Sequence, residues 1–229
     1  MAAPRTTGTA RTTDRLEAFS DAVLAIAITL PVVNLSEPDL AGSADLAAAY
    51  AELAPDYAAY ALSVVVIGLY WARSHFSGKV IEKTDHGFNL LTVLFLALVS
   101  VTPLPARPLL EHLTGAPGDA NTRIAAVVYA WVLAAPGVTW VVRWGYAARR
   151  GLVDARLAPA YVRRLTRAYV LSAAALVTGA AVATLLDWRV GLGLAAAVTL
   201  GYGAPPAAPE YRPGQAPESE LEDAGDAAA

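Results

Sequence analysis

Six apolar runs divide this chain, and each has to be kept from water. They cover about Phe19–Leu35, Tyr50–Trp71, Phe88–Leu104, Thr122–Tyr146, Ala160–Leu186 and Val190–Gly203. A membrane-crossing α-helix takes about 20 mostly apolar residues. The first run is short and carries Asp21; the last is short and rich in glycine. The competing arrangement, a soluble bundle with these runs as core helices, needs polar sequence to cover the core. Only 16% of the 229 residues are charged and 56% are hydrophobic, against about 25% charged in a soluble domain. The expectation is an all-α integral membrane protein with six transmembrane helices per chain.

Charge in the connections sets the orientation. Arg5, Arg11 and Arg15 precede the first run, and Arg73, Lys79 and Lys83 follow the second. Arg143 at the end of the fourth run counts with the connection after it, which holds Arg149, Arg150, Arg156, Arg163, Arg164 and Arg167, and Arg212 lies in the tail. These are fourteen of the 17 basic residues, while the alternate connections hold Arg107, Arg123 and Arg189. The stretch from Ser36 to Asp56 has five acids and no base. Lysine and arginine accumulate on the cytoplasmic side, so both termini are expected there, in the cell membrane, with an even number of spans. Residues 1–14 read as a cytoplasmic N-terminal segment without the apolar stretch of a cleavable signal. Residues 15–203 read as the transmembrane domain, and 204–229 as a disordered acidic cytoplasmic tail. A net charge of −3 gives no reason to expect nucleic acid, and the absence of cysteine excludes disulfides and thiol catalysis.

The first run differs from the others in holding a carboxylate. An acid inside the bilayer is expensive and has to be paired or turned to a polar interior. At 100° per residue, Ile26, Leu30 and Val33 fall within roughly 60° of one another, with Phe19 and Ala22 on the same stripe and Thr29 at its edge. Asp21 lies about 140° from Ile26, with Ser20 toward its side. One face is therefore a bare hydrophobic ladder, of the kind that faces lipid or a neighbouring helix. The other carries polar groups.

The segment Arg15-x-x-x-Phe19-Ser20-Asp21, followed by Ala25 to Leu30, resembles the signature of the bacterial branch of the transmembrane-protein-175 potassium channels. Trp71 near the end of the second run, His75 four residues on and Asn89 in the third are similar as well. The resemblance implies a homotetramer whose four first helices surround a pore. It implies an aliphatic constriction at Ile26, further pore-facing positions at Leu30 and Val33, and a polar layer at Thr29. Arg15, Phe19, Ser20 and Asp21 would then hold the pore helix in its rotational setting, with Trp71, His75 and Asn89 as partners. Pro31 departs from the family pattern; without an N–H it should kink the helix after Leu30.

The implied function is a potassium-selective cation channel, passively conducting through a hydrophobic constriction, with K+ as permeant ion, membrane lipid as surroundings and no cofactor. The alternative is a proton-coupled or other secondary transporter that titrates Asp21. Thr199-Leu200-Gly201-Tyr202-Gly203 looks like a carbonyl-lined potassium filter. No apolar helix follows it, so it reads instead as a helix end with Pro205 as the stop. No phosphate loop, metal-ligand pair or nucleophile–base arrangement stands out, so no enzymatic activity is expected.

Overall fold

The computed structural model describes residues 13–38, 45–115 and 118–217. Among these the chain is all helical, with no strand and two isolated β-bridges. In order, α1 is Asp14–Thr29, α2 Leu46–Glu52, α3 Ala54–Ser77, α4 His86–Ser100, α5 Ala106–Gly115, α6 Ala120–Arg150, α7 Pro159–Leu185 and α8 Trp188–Leu200. Short 3₁₀ turns follow α1 at Leu30–Asn34 and α8 at Gly201–Gly203. Aspartates start four of the helices: Asp45, Asp85, Asp119 and Asp187 each accept from a backbone N–H of the first turn.

A helix stands at each of the six apolar runs, but not all are long. Asp14–Val33, Ala120–Arg150 and Pro159–Leu185 are long and apolar enough to cross a membrane, and α2 with α3, bent by 53°, make a fourth candidate. The bend falls at Leu53 and Pro55, so Tyr50 lies on α2 rather than on the expected second span. α4 has 15 residues and α8 has 13. Pro103 and Pro105 fall in the turn after α4, and α8 gives way to the Gly201–Gly203 turn with Pro205 beyond.

α6 is the hub, in contact with α4, α5, α7 and α8, whereas α1 leans mainly on α3 and α4. α1 is thus an edge helix with one face free. Small residues let α7 and α8 approach closely. A Cβ on Gly191 would overlap the backbone of Ala183 and the carbonyl of Gly179, and one on Gly179 would lie 2.9 Å from the Gly191 carbonyl oxygen. An edge-to-face series of rings ties the interior together: Tyr202 to Tyr70, Tyr70 to Phe95, Phe95 to Trp140, Trp140 to Tyr169 and Tyr169 to Trp144.

The basic end of the bundle is knitted by backbone pairing. Ile81 bridges Val153, and Leu157 bridges Tyr211. Ala158 N–H donates to the Glu210 carbonyl at 2.7 Å, and Arg212 N–H donates to that of Arg156 at 2.8 Å. The segment from 204 to 212, expected to begin a disordered tail, is a strap laid against the start of α7. It stays because its polar backbone finds partners there and the Tyr161 hydroxyl donates to the Ala207 carbonyl. The acids Glu218, Glu220, Glu222, Asp223 and Asp226 lie outside the described residues, as do Arg5 and Arg11.

In the same layer Asp85 accepts from the Phe88 N–H at 2.9 Å and the Tyr146 hydroxyl at 3.0 Å, with Arg150 Nε at 3.5 Å. Burial pushes its carboxyl up, but these donors outweigh it and hold it below the ordinary carboxylate range. A carboxyl depressed in the fold adds stability that is complete above its unfolded pKa of about 4 and is lost as pH falls through the lower folded value. Asp85→Asn should therefore melt below wild type at pH 7 in detergent, and the two melting temperatures should converge toward pH 3.

Replacing Gly191 by Val should cost about 3 kcal/mol or more, since the clash is with backbone that has no room to shift. Gly193 has nothing near its missing Cβ, so Gly193→Ala should be neutral or stabilise by up to about 1 kcal/mol. Thermal unfolding of the two variants side by side tests the contrast.

Candidate functional site

α1 splits into two faces. Leu24 is 0% exposed and Ser20 is buried beside it, with Leu16, Val23, Ala27 and Ile28 packed against the same core. Leu24 lies about 160° from Ile26 around the helix. On that opposite side Ile26 is 59%, Leu30 61% and Val33 77% exposed, with Phe19 also open. The ladder read from the sequence is thus left uncovered within one chain. Helical arithmetic points to Leu24 as the anchoring residue, although the motif does not include it.

Asp21 sits on the flank toward α3. Its Oδ1 accepts from the Trp71 indole N–H at 2.9 Å, and the Trp71 ring stacks on His75 at 5.6 Å with 27° between planes. The structure brings together these three of the seven motif residues. Ser20 lies behind them, its hydroxyl donating to the Leu16 carbonyl at 2.7 Å within its own helix rather than to a neighbour. Asn89 is on α4, where its Oδ1 is buried with no hydrogen bond to a described residue. Arg15 is exposed and pairs with no described residue, and Phe19 stands on the open face.

Thr29 donates to the Ala25 carbonyl at 2.9 Å, so its hydroxyl hydrogen is taken up by the helix backbone. Pro31 does not leave a simple kink. α1 ends at Thr29 and the chain tightens into the Leu30–Asn34 3₁₀ turn, with the Leu30 N–H still bonded to the Ile26 carbonyl. A tighter turn accommodates a proline that an α-helix would set against the carbonyl four residues back. Val33 stays on the open side.

Arg143 does not belong to the loop charge in which the sequence placed it. It lies within α6 and is 4% exposed. Its guanidinium sits 4.3 Å from the Trp140 ring centroid, near Phe88 and Phe95, and donates to the Ser77 hydroxyl at 3.0 Å. Arg143, Ser77, His75, Glu17, Ser20 and Asp21 all border one small cavity of about 30 Å³, which is room for a water or two. Nothing in the charge count distinguishes this arginine from its exposed neighbours.

A larger cleft of about 560 Å³ runs beside Ile26 and Leu30 between α1, α3 and the start of α5. Arg107 stands at its rim and bridges Asp56 and Glu111, each at 2.8 Å. Among the described residues no group of three or more His, Cys, Asp or Glu side chains could hold a metal ion.

A helical membrane protein is thereby defined, with its first helix gripped on one face and bare on the other. A family profile described as "Endosomal/lysosomal potassium channel TMEM175" matches residues 15–103. A potassium channel of Streptomyces collinus is 36% identical over 148 residues, which cover 64% of this chain and 70% of that one. A potassium channel of Chamaesiphon minutus is 35% identical, over 59% of this chain and 66% of the relative. The endosomal/lysosomal proton channel TMEM175 of Homo sapiens is 33% identical over 99 residues, 40% of this chain and 20% of that protein. The fold is similar to the crystal structure of a lysosomal potassium-selective channel TMEM175 homologue from Chamaesiphon minutus, with a TM-score of 0.64 and 29% identity over 84% of this chain and 98% of that one. The chain belongs to the TMEM175 family.

Trp71→Phe keeps a ring to stack on His75 and removes the donor to Asp21. It should lower stability by about 1 kcal/mol, while Trp71→Ala loses the stacking too and falls further. Melting of the purified chain in detergent reads both. Equal losses for Phe and Ala would mean that the ring contributes nothing beyond the N–H.

Proposed function

We propose that this chain forms a homotetrameric, potassium-selective cation channel rather than an enzyme, each subunit crossing the cell membrane six times with both termini in the cytoplasm. The observation that carries the reading is the exposed line of Ile26, Leu30 and Val33 on a helix whose opposite face is locked. Four such lines around a common axis give a narrow aliphatic passage. The family membership and the names of the bacterial relatives support potassium as the permeant ion. In this arrangement the 13-residue α8 and 15-residue α4 count as spans that need local thinning of the bilayer or help from flanking residues. The strap from 204 ends the transmembrane domain, and the residues beyond it continue as the acidic tail.

The mechanism follows from dehydration. An aliphatic ring offers no ligand to replace water, so an ion passes only by losing or thinning its shell, and the constriction gates by dewetting. Potassium holds water less tightly than sodium and loses less. Ile26 is the first ring, with Leu30 and Val33 beyond it and Thr29 at the edge of the line. Asp21, held by Trp71 on the far flank, sets the rotation of α1 together with Ser20, His75, Asn89, Arg15 and Phe19, and does not meet the ion.

The names of the vertebrate relatives favour a second reading, proton permeation through the same passage. A transporter titrating Asp21 would need that carboxylate on the passage, and it stands about 140° around α1 from Ile26, with its Oδ1 turned to Trp71.

Flux into liposomes tests the proposal. Ile26→Asn should raise sodium permeation relative to potassium by about tenfold, the equivalent of about 1.4 kcal/mol of barrier. In the same assay Asp21→Ala should reduce the yield of tetramer and leave the ion ratio of the surviving tetramer unchanged. An unaltered ratio in Ile26→Asn removes Ile26 as the selecting ring. Saturable flux that requires a proton gradient would place the chain among transporters.

A further inference from the structure

A second cationic centre lies away from α1. Arg73 is one turn from the end of α3, and its guanidinium lies 4.1 Å from the ring centroid of Tyr202, 4.9 Å from Tyr169 and 5.6 Å from Trp140. Its hydrogen bond to the Ser172 hydroxyl is long, at 3.4 Å, and its buried Nε donates to no described residue. It forms no ion pair with any described carboxylate. Ring faces orient a guanidinium and attract it, but they leave its full charge uncompensated.

Arg73 borders a cavity of about 420 Å³ between α3, α7 and the strap that follows α8. Phe76, Leu165 and Pro206 give it an apolar lining, and Ala168 stands exposed at its edge. Arg164 lines it too but is already neutralised by Glu210 at 2.7 Å. The unmet charge is therefore Arg73's. This lies at the helix end where the chain's arginines concentrate, the level at which lipid headgroups meet a membrane protein.

We propose that this cavity binds one anionic phospholipid, with its phosphate on Arg73 and part of an acyl chain along the apolar lining. Arginine presents a planar fork that suits phosphate, and no described carboxylate competes for it. An inorganic anion would leave the apolar wall unused, and a zwitterionic lipid brings its own cation to the same spot. The site is distinct from the α1 line and does not depend on the channel reading.

The test uses the purified full chain in detergent, titrated with phosphatidylglycerol or phosphatidylcholine of identical acyl chains and read by native mass spectrometry. Phosphatidylglycerol should bind about fivefold or more tightly, the equivalent of roughly 1 kcal/mol from one arginine near the headgroups. That preference should vanish in Arg73→Gln. It should also vanish in Ala168→Trp, which fills the cavity edge, leaves the ring cage intact and keeps the wild-type melting temperature. If Arg73→Gln does not fold, Ala168→Trp decides alone. A preference that survives Ala168→Trp, an absence of preference in wild type, or displacement of the lipid by millimolar inorganic phosphate would each overturn the proposal. Because no ion flux is measured, failure here is separable from failure of the channel reading.

Discussion

An apolar bundle has no water with which to solvate a charge, and this chain answers that constraint with aromatic rings. The carboxylate on α1 takes an indole N–H from Trp71. Arg143 lies over Trp140, with Phe88 and Phe95 beside it. Arg73 is surrounded by Tyr202, Tyr169 and Trp140. Trp140 serves both arginines, so two positive groups share one ring at the centre of the hub helix. A quadrupole suits this task because it stabilises a cation without adding a buried anion that would itself need a partner.

That arrangement decides what α1 is free to do. α6 is in contact on several sides and cannot turn without disturbing the ring series. α1 rests mainly on α3 and α4, through Leu24 and the residues a turn either side. The Asp21–Trp71 bond adds a directional contact to this hydrophobic seat. A hydrophobic face tolerates small rotations, whereas a hydrogen bond between two planar groups does not. In the channel proposed above, this polar pair acts with the packing of the helix to set its rotation.

Much of the architecture is legible in the sequence because burial of apolar runs leaves few options. A helix stands at every run, aspartates mark four of the helix starts, and the Gly201–Gly203 stretch closes a helix rather than forming a loop between two. The two-faced character of the first run follows from angular arithmetic, and the structure exposes the face with Ile26, Leu30 and Val33. Other features stay hidden. Arg143 and Arg73 count as loop charge in a linear reading because composition cannot see that a ring will lie beneath a guanidinium. The strap from 204 to 212 pairs through backbone groups, which every residue carries, so no side-chain pattern announces it. The short α5 occupies the connection that holds Arg107 and Glu111, with Ala106 and Leu109 buried and Leu110 and Leu113 packed against the core.

The 3₁₀ turn after Thr29 changes the spacing of the open line. In an α-helix, residues three apart are offset by about 60° and rise about 4.5 Å. In a 3₁₀ turn they eclipse, about 6 Å apart. Leu30 and Val33 accordingly stand one above the other instead of spiralling away. A single inserted or deleted residue between them would swing Val33 through a third of a circle, off the line altogether. This stretch of chain therefore tolerates exchange of one aliphatic side chain for another far better than any alteration in its length.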